Sequence, residues 1–142
     1  MALAVMLLSA CSPEGSSGSA ADGKDGARSV VDSYVAALNG RDTGRLIEVG
    51  GVPDDHRARR EAHRILTAKG GRGFSVAAVR IDLDMGPDVG SAKVAMRDRS
   101  GKKMNDSFSV VREGGRWHLV VFTDRPTPAD KPSSSTERPG GS

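Results

Sequence analysis

An α+β domain, with N-terminal helices packed on an antiparallel sheet of about four strands, is predicted by three observations. Apolar residues in the first half of the chain recur at helical spacing, and the period changes from about 3.6 to 2 after Gly73. The apolar runs that follow are joined by short turns rich in glycine, as in an antiparallel meander.

The helices come first. Ala27, Val30, Val31, Tyr34, Val35 and Leu38 fall at i, i+3, i+4, i+7, i+8 and i+11, which places them on one helical face. Asn39-Gly40 follows, and both residues tolerate the left-handed conformation that closes a helix. Asp42 or Thr43 can then cap a shorter helix bearing Leu46, Ile47 and Val49. A third helix is expected from Pro53-Asp54-Asp55, with proline pre-set for the first turn and carboxylates at the positive end of the dipole. Ala58, Ala62, Ile65 and Leu66 form its apolar stripe, and Gly70-Gly71 ends it.

Strand one alternates Ala77, Val79, Ile81, Leu83 and Met85 against Ala78, Arg80, Asp82 and Asp84, the pattern of a sheet with one buried face. Strand two sets Ala92, Val94 and Met96 against Lys93 and Arg97, strand three carries Phe108 and Val110, and strand four carries Trp117, Leu119 and Val121. A turn centred on Pro87-Asp88 would pair Leu83 with Ala92 and Ile81 with Val94. An odd-numbered loop around Gly101-Lys102-Lys103 suits the middle hairpin. A Gly114-Gly115 loop, suited to the primed turns of tight hairpins, would pair Val110 with Leu119 and Phe108 with Val121.

Two stretches carry a resemblance. Val30-Val31-Asp32-Ser33-Tyr34-Val35-Ala36-Ala37-Leu38-Asn39-Gly40-Arg41-Asp42 resembles the opening of nuclear transport factor 2-like domains. The stretch Gly114-Gly115-Arg116-Trp117-His118-Leu119-Val120-Val121-Phe122 is similar to their final hairpin. The resemblance implies a cone between helix and curved sheet, in a family that holds isomerases, dehydratases, transport factors and non-catalytic binding modules. Fold alone does not choose among these.

The N-terminus carries an address. Leu8-Ser9-Ala10-Cys11 ends the apolar run from Ala2 and precedes a polar stretch, and it resembles the lipobox of bacterial lipoproteins. That likeness implies cleavage before Cys11, a diacylglycerol on its sulfur and a place on the outer face of the cell membrane. Together with the domain it is similar to small actinobacterial lipoproteins. No Lys or Arg precedes the short apolar run, so a basic segment upstream of Met1 is expected. The run is too short to span a bilayer, which needs about 20 apolar residues.

The organisation expected is therefore a signal segment at 1–10, lipidated Cys11 with a flexible tether to residue 25, a domain at 26–124, and a disordered tail at 125–142. The tether is built of Ser, Gly, Ala and Pro, and the tail holds four of the seven prolines. One cysteine excludes an internal disulfide. Residues 26–124 contain 17 Lys plus Arg and 13 Asp plus Glu, too mild a surplus to argue for nucleic acid.

The search for chemistry is mostly negative. Every inward position named above is apolar, while Arg80, Asp82, Asp84, Lys93, Arg97 and His118 share the opposite face. Asp98 and Asp106 have inward parity but flank the Gly101 turn, where solvated turn residues are expected. His56 and His63 stand about 10.5 Å apart along a helix, too far to share a metal. With Arg57, Arg59, Arg60 and Arg64 they read as a solvated basic face, or as a contact for anionic lipid headgroups. The run from Asp82 to Asp88 lacks the ligands of a calcium loop. No metal or cofactor is implied.

Val111, Val120 and Phe122 share the polar face of the sheet and form a candidate interface for self-association or an envelope protein partner. Tyr34, Leu38, Met96, Phe108 and Trp117 would line a pocket between the first helix and the sheet. The expectation is a non-enzymatic binding or interaction module anchored by lipid. Its alternatives are a carrier of an apolar ligand in that pocket and an enzyme of the isomerase or dehydratase type.

Overall fold

The structure, a computed structural model, describes residues 19–123. Three helices, α1 (Ser19–Gly40), α2 (Thr43–Gly50) and α3 (His56–Lys69), precede four strands, β1 (Ser75–Asp82), β2 (Val89–Arg97), β3 (Lys103–Glu113) and β4 (Arg116–Leu119). The strands form a curved, unclosed antiparallel sheet in the order β1-β2-β3-β4. Cys11, the signal segment and the tail from residue 125 lie outside the described residues.

The α1 stripe is buried as its spacing predicts: Ala27, Val31 and Leu38 are fully inaccessible, and Tyr34 is 1% exposed. The helix begins earlier than expected, however, so residues 19–25, assigned to the tether, are helical. Their anchorage comes from missing side chains. A Cβ on Gly23 would lie 3.2 Å from Leu83, and one on Gly26 would lie 2.5 Å from Trp117. The sheet edge therefore packs directly against helix backbone, which an apolar stripe does not reveal.

At the other end, the left-handed residue is Arg41 (φ 51), and neither Asn39 nor Gly40 takes that role. The Arg41 N–H donates to the Leu38 carbonyl and the Asp42 N–H to the Ala37 carbonyl, the paired bonds of a Schellman closure. Asn39 serves elsewhere. Its amide donates to the Phe74 carbonyl at 2.8 Å and accepts from the Phe74 N–H at 2.7 Å, tying α1 to the residue before β1.

Asp42 caps α2 by accepting from the Arg45 N–H, and Leu46, Ile47 and Val49 are buried as expected. Asp55 caps α3 by accepting from the Arg57 and Ala58 N–H groups. Pro53 lies outside this helix, ahead of the cap, because the Asp55 side chain claims the free N–H groups that define the first turn.

The sheet keeps its predicted faces with three corrections. Val76 pairs with Met96 and Ala78 with Ala95, so Ala77 is the extra residue of a bulge. Val76 packs on the core and Ala77 is exposed. Met85 lies beyond the strand and is 63% exposed. The β1–β2 register is also two residues from the expected one: Ile81 pairs with Ala92 and Val79 with Val94. An even shift preserves both faces. Gly90 permits it, since a Cβ there would stand 2.3 Å from the Asp82 carbonyl oxygen.

In the last hairpin Val110 pairs with Leu119 as predicted, but β4 ends there and the Phe108 to Val121 pair does not form. The Val121 N–H turns back to the Leu119 carbonyl at 3.0 Å. That turn reverses the phase, and Phe122 enters the core at 4% exposure instead of joining Val111 and Val120 on the outer face. A Cβ on Gly50 would lie 2.4 Å from the Phe122 ring, so α2 receives it through a glycine.

Candidate functional site

A cleft of about 500 Å³ lies between α1, α2 and the β3–β4 turn. Gly26, Ser29, Val30 and Ser33 of α1 form one wall, Arg45, Glu48 and Val49 of α2 the second, and Gly115, Arg116, Trp117 and His118 the third. Val30, Val49 and Trp117 supply apolar surface. Arg45, Glu48, Arg116, His118 and the two serines supply charge and hydrogen-bonding groups.

Three local features hold these walls in place. Gly114 (φ 55) and Gly115 (φ 77) both take the left-handed conformation that a tight primed turn demands, which aims Arg116 and Trp117 back toward the helices. Gly26 admits the indole of Trp117. Gly51 (φ 61) ends α2 in the left-handed conformation, and a Cβ there would stand 2.5 Å from Cγ of His118. The imidazole therefore lies against the end of α2.

Charge in the cleft is uncommitted. Among the described residues, Arg45, Arg116 and Glu48 form no ion pair within 4.0 Å. Nδ1 of His118 is buried and, among the described residues, has no hydrogen-bond partner. That atom is packed against Gly51, so the groups the cleft offers a ligand are Arg45, Arg116, Glu48 and the serine hydroxyls. Two guanidiniums against one carboxylate favour an acidic group, which arginine can meet with two parallel bonds.

The five predicted pocket residues share one hydrophobic core. Tyr34, Leu38 and Met96 are core residues at 1%, 0% and 2% exposure. Phe108 is half-buried and meets Tyr34 edge-on, with ring centroids 4.9 Å apart. Trp117 is the one of the five that lines the cleft. Of the interface candidates, Val111 is half-buried, Val120 is 38% exposed and Phe122 is in the core. Cys11 lies outside the described residues. The remaining cleft residues left one signal in the sequence: Gly26, Ser29 and Ser33 make a small-residue stripe beside the apolar one, where a neighbour can approach.

The inner face holds one acidic group whose parity pointed inward but whose place beside the Gly101 turn had suggested a solvated turn residue. Asp106 sits within β3 opposite Val94, with its side chain 19% exposed. Its carboxylate accepts from Nζ of Lys69, at the end of α3, at 2.8 Å. Burial first, and the Asp106 charge second, hold the Tyr34 phenol above its ordinary range. Asp98 is a turn residue as expected: it accepts from the Ser100 hydroxyl and from the Ser100 and Lys102 N–H groups, which holds its carboxyl below the usual range.

Among the described residues no three His, Cys, Asp or Glu side chains gather closely enough to hold a metal ion. No helix among them is long and apolar enough to cross a membrane. No family model matches this chain, and comparison with curated proteins finds no match.

Proposed function

We propose that this chain is a lipid-anchored lipoprotein of the bacterial envelope, whose domain is of the nuclear transport factor 2-like class and binds a small acidic ligand without transforming it. The observation that carries the binding reading is the cleft in which Arg45 and Arg116 stand against the single carboxylate of Glu48, with His118 in the same wall as Arg116. The run ending in Leu8-Ser9-Ala10-Cys11 supports the anchor. An α1 laid across a curved antiparallel sheet is compatible with the fold class.

A proton-transfer role falls to Asp106 least well, because its carboxylate is already bonded by the Lys69 ammonium. An apolar carrier would need room between α1 and the sheet, where Leu38, Met96 and Val110 are buried core. The cleft is the better supported site.

Native mass spectrometry of protein purified from its own membrane tests both halves separately. The expected result is a diacylglyceryl mass on Cys11, together with a co-purifying small acid that is lost in His118→Ala and Arg116→Ala. An unmodified Cys11 would sink the anchor. A ligand retained equally by both variants would sink the cleft.

A further inference from the structure

The net charge of the domain is concentrated on one helix. Basic residues outnumber acidic ones by 17 to 13 across residues 26–124. Within that span α3 alone carries Arg57, Arg59, Arg60, Arg64 and Lys69 against the single acid Glu61. The remainder is balanced.

Neighbouring acids are already engaged. Asp54 pairs with Arg59 at 2.6 Å, Asp106 pairs with Lys69 at 2.8 Å, and the Asp55 carboxylate is taken by the cap. Glu61 accepts from the N–H and hydroxyl of Thr123. Among the described residues Arg57, Arg60 and Arg64 form no ion pair, and all three are exposed. At 3.6 residues per turn they fall within about 60° of one another along roughly 10.5 Å of helix. That face lies opposite the buried Ala58, Ala62 and Leu66.

We propose that this face of α3 docks on an anionic membrane surface. Three unpaired guanidiniums in a row on a convex helix match a plane of phosphate headgroups. The α3 sequence has no Phe, Tyr or Trp beside the row on which a base could stack, as single-stranded nucleic acid would use. The cleft walls belong to α1, α2 and β4, so docking through α3 uses different residues. The proposal extends the envelope reading, but attraction to headgroups does not depend on the acyl chain.

The test uses the full chain carrying Cys11→Ser, so that failure of the anchor and failure of the docking face are distinguishable. Co-sedimentation with vesicles of phosphatidylglycerol and phosphatidylcholine should show binding that is absent with phosphatidylcholine alone and falls with added salt. Replacing Arg57, Arg60 and Arg64 together by alanine should weaken it on the order of a hundredfold, from the usual contribution of a basic residue at such a surface. Circular dichroism confirms that this variant is folded, and Arg60→Ala alone should give a smaller loss. Replacing Lys93, Lys102 and Lys103 together should change binding only a few-fold. Equal losses in the two triple variants, equal binding to both vesicle types, or displacement from vesicles by a nucleic-acid oligonucleotide at equal charge would overturn the proposal.

Discussion

The indole of Trp117 lies across the backbone of Gly26, so close that a Cβ on Gly26 would stand 2.5 Å from Cδ1 and 2.8 Å from Nε1. Gly26→Ala should therefore displace the ring and destabilise the domain by about 1–3 kcal/mol, the usual cost of overpacking. Gly40 is the control. It is also helical, but a Cβ there meets nothing within 4 Å, so Gly40→Ala should stabilise by about 0.4–1 kcal/mol. Urea denaturation followed by emission of the one tryptophan reads both effects, and a Gly26→Ala protein as stable as the parent would refute the contact.

The same contact explains what the sequence revealed and what it hid. The α1 stripe was legible because Val31, Tyr34 and Leu38 bury apolar side chains at a fixed period. The earlier turns of α1 were not, because Gly23 and Gly26 dock by lacking side chains, and absence has no period. Strand faces were legible from alternation in Ala92, Val94 and Met96. Alternation fails where the backbone changes phase, as at the Ala77 bulge and at the turn that buries Phe122. Asp106 was misread because its partner Lys69 lies 37 residues earlier, on another element. The cleft depends on three elements meeting, and only its small-residue wall left a trace.

The Lys69–Asp106 pair should respond asymmetrically to mutation. Both side chains are mostly buried, at 33% and 19% exposure. Lys69→Met strands a carboxylate against Val94 and the core, at a cost of about 1–3 kcal/mol. Removing both charges, in Lys69→Met with Asp106→Leu, should recover most of that loss, since a well-packed apolar pair can replace a buried ion pair. A double-mutant cycle in urea gives the coupling. Strictly additive losses would show that the two groups do not interact.

Asp55 should make α3 acid-sensitive. Its bond from the Ala58 N–H is the largest influence holding its carboxyl below 3.8, with the Arg57 N–H and charge acting the same way. A carboxyl lowered in the folded state stabilises that state above its unfolded value and loses the contribution as pH falls through the folded one. Stability should thus decline below about pH 4, and Asp55→Asn, which caps without titrating, should flatten part of that decline. Asp98 contributes in the same window, so the informative quantity is the difference between parent and variant. Identical pH profiles for the two would rule out the cap as a source of acid sensitivity.

Tyr34 makes the opposite prediction at alkaline pH. Burial, reinforced by the Asp106 charge, favours the protonated phenol in the folded domain. A group whose folded value is raised adds stability below its unfolded value, near pH 10, and that contribution drains away as pH rises past it. Because Tyr34 is the one tyrosine of the chain, its phenolate absorbance reports on this site alone. The absorbance should appear together with the change in Trp117 emission that marks unfolding, and Asp106→Asn should bring the phenol's own titration lower. Reversible phenolate formation at about pH 10 with Trp117 emission unchanged would mean that the ring is open to water, and with it the interior between α1 and the sheet.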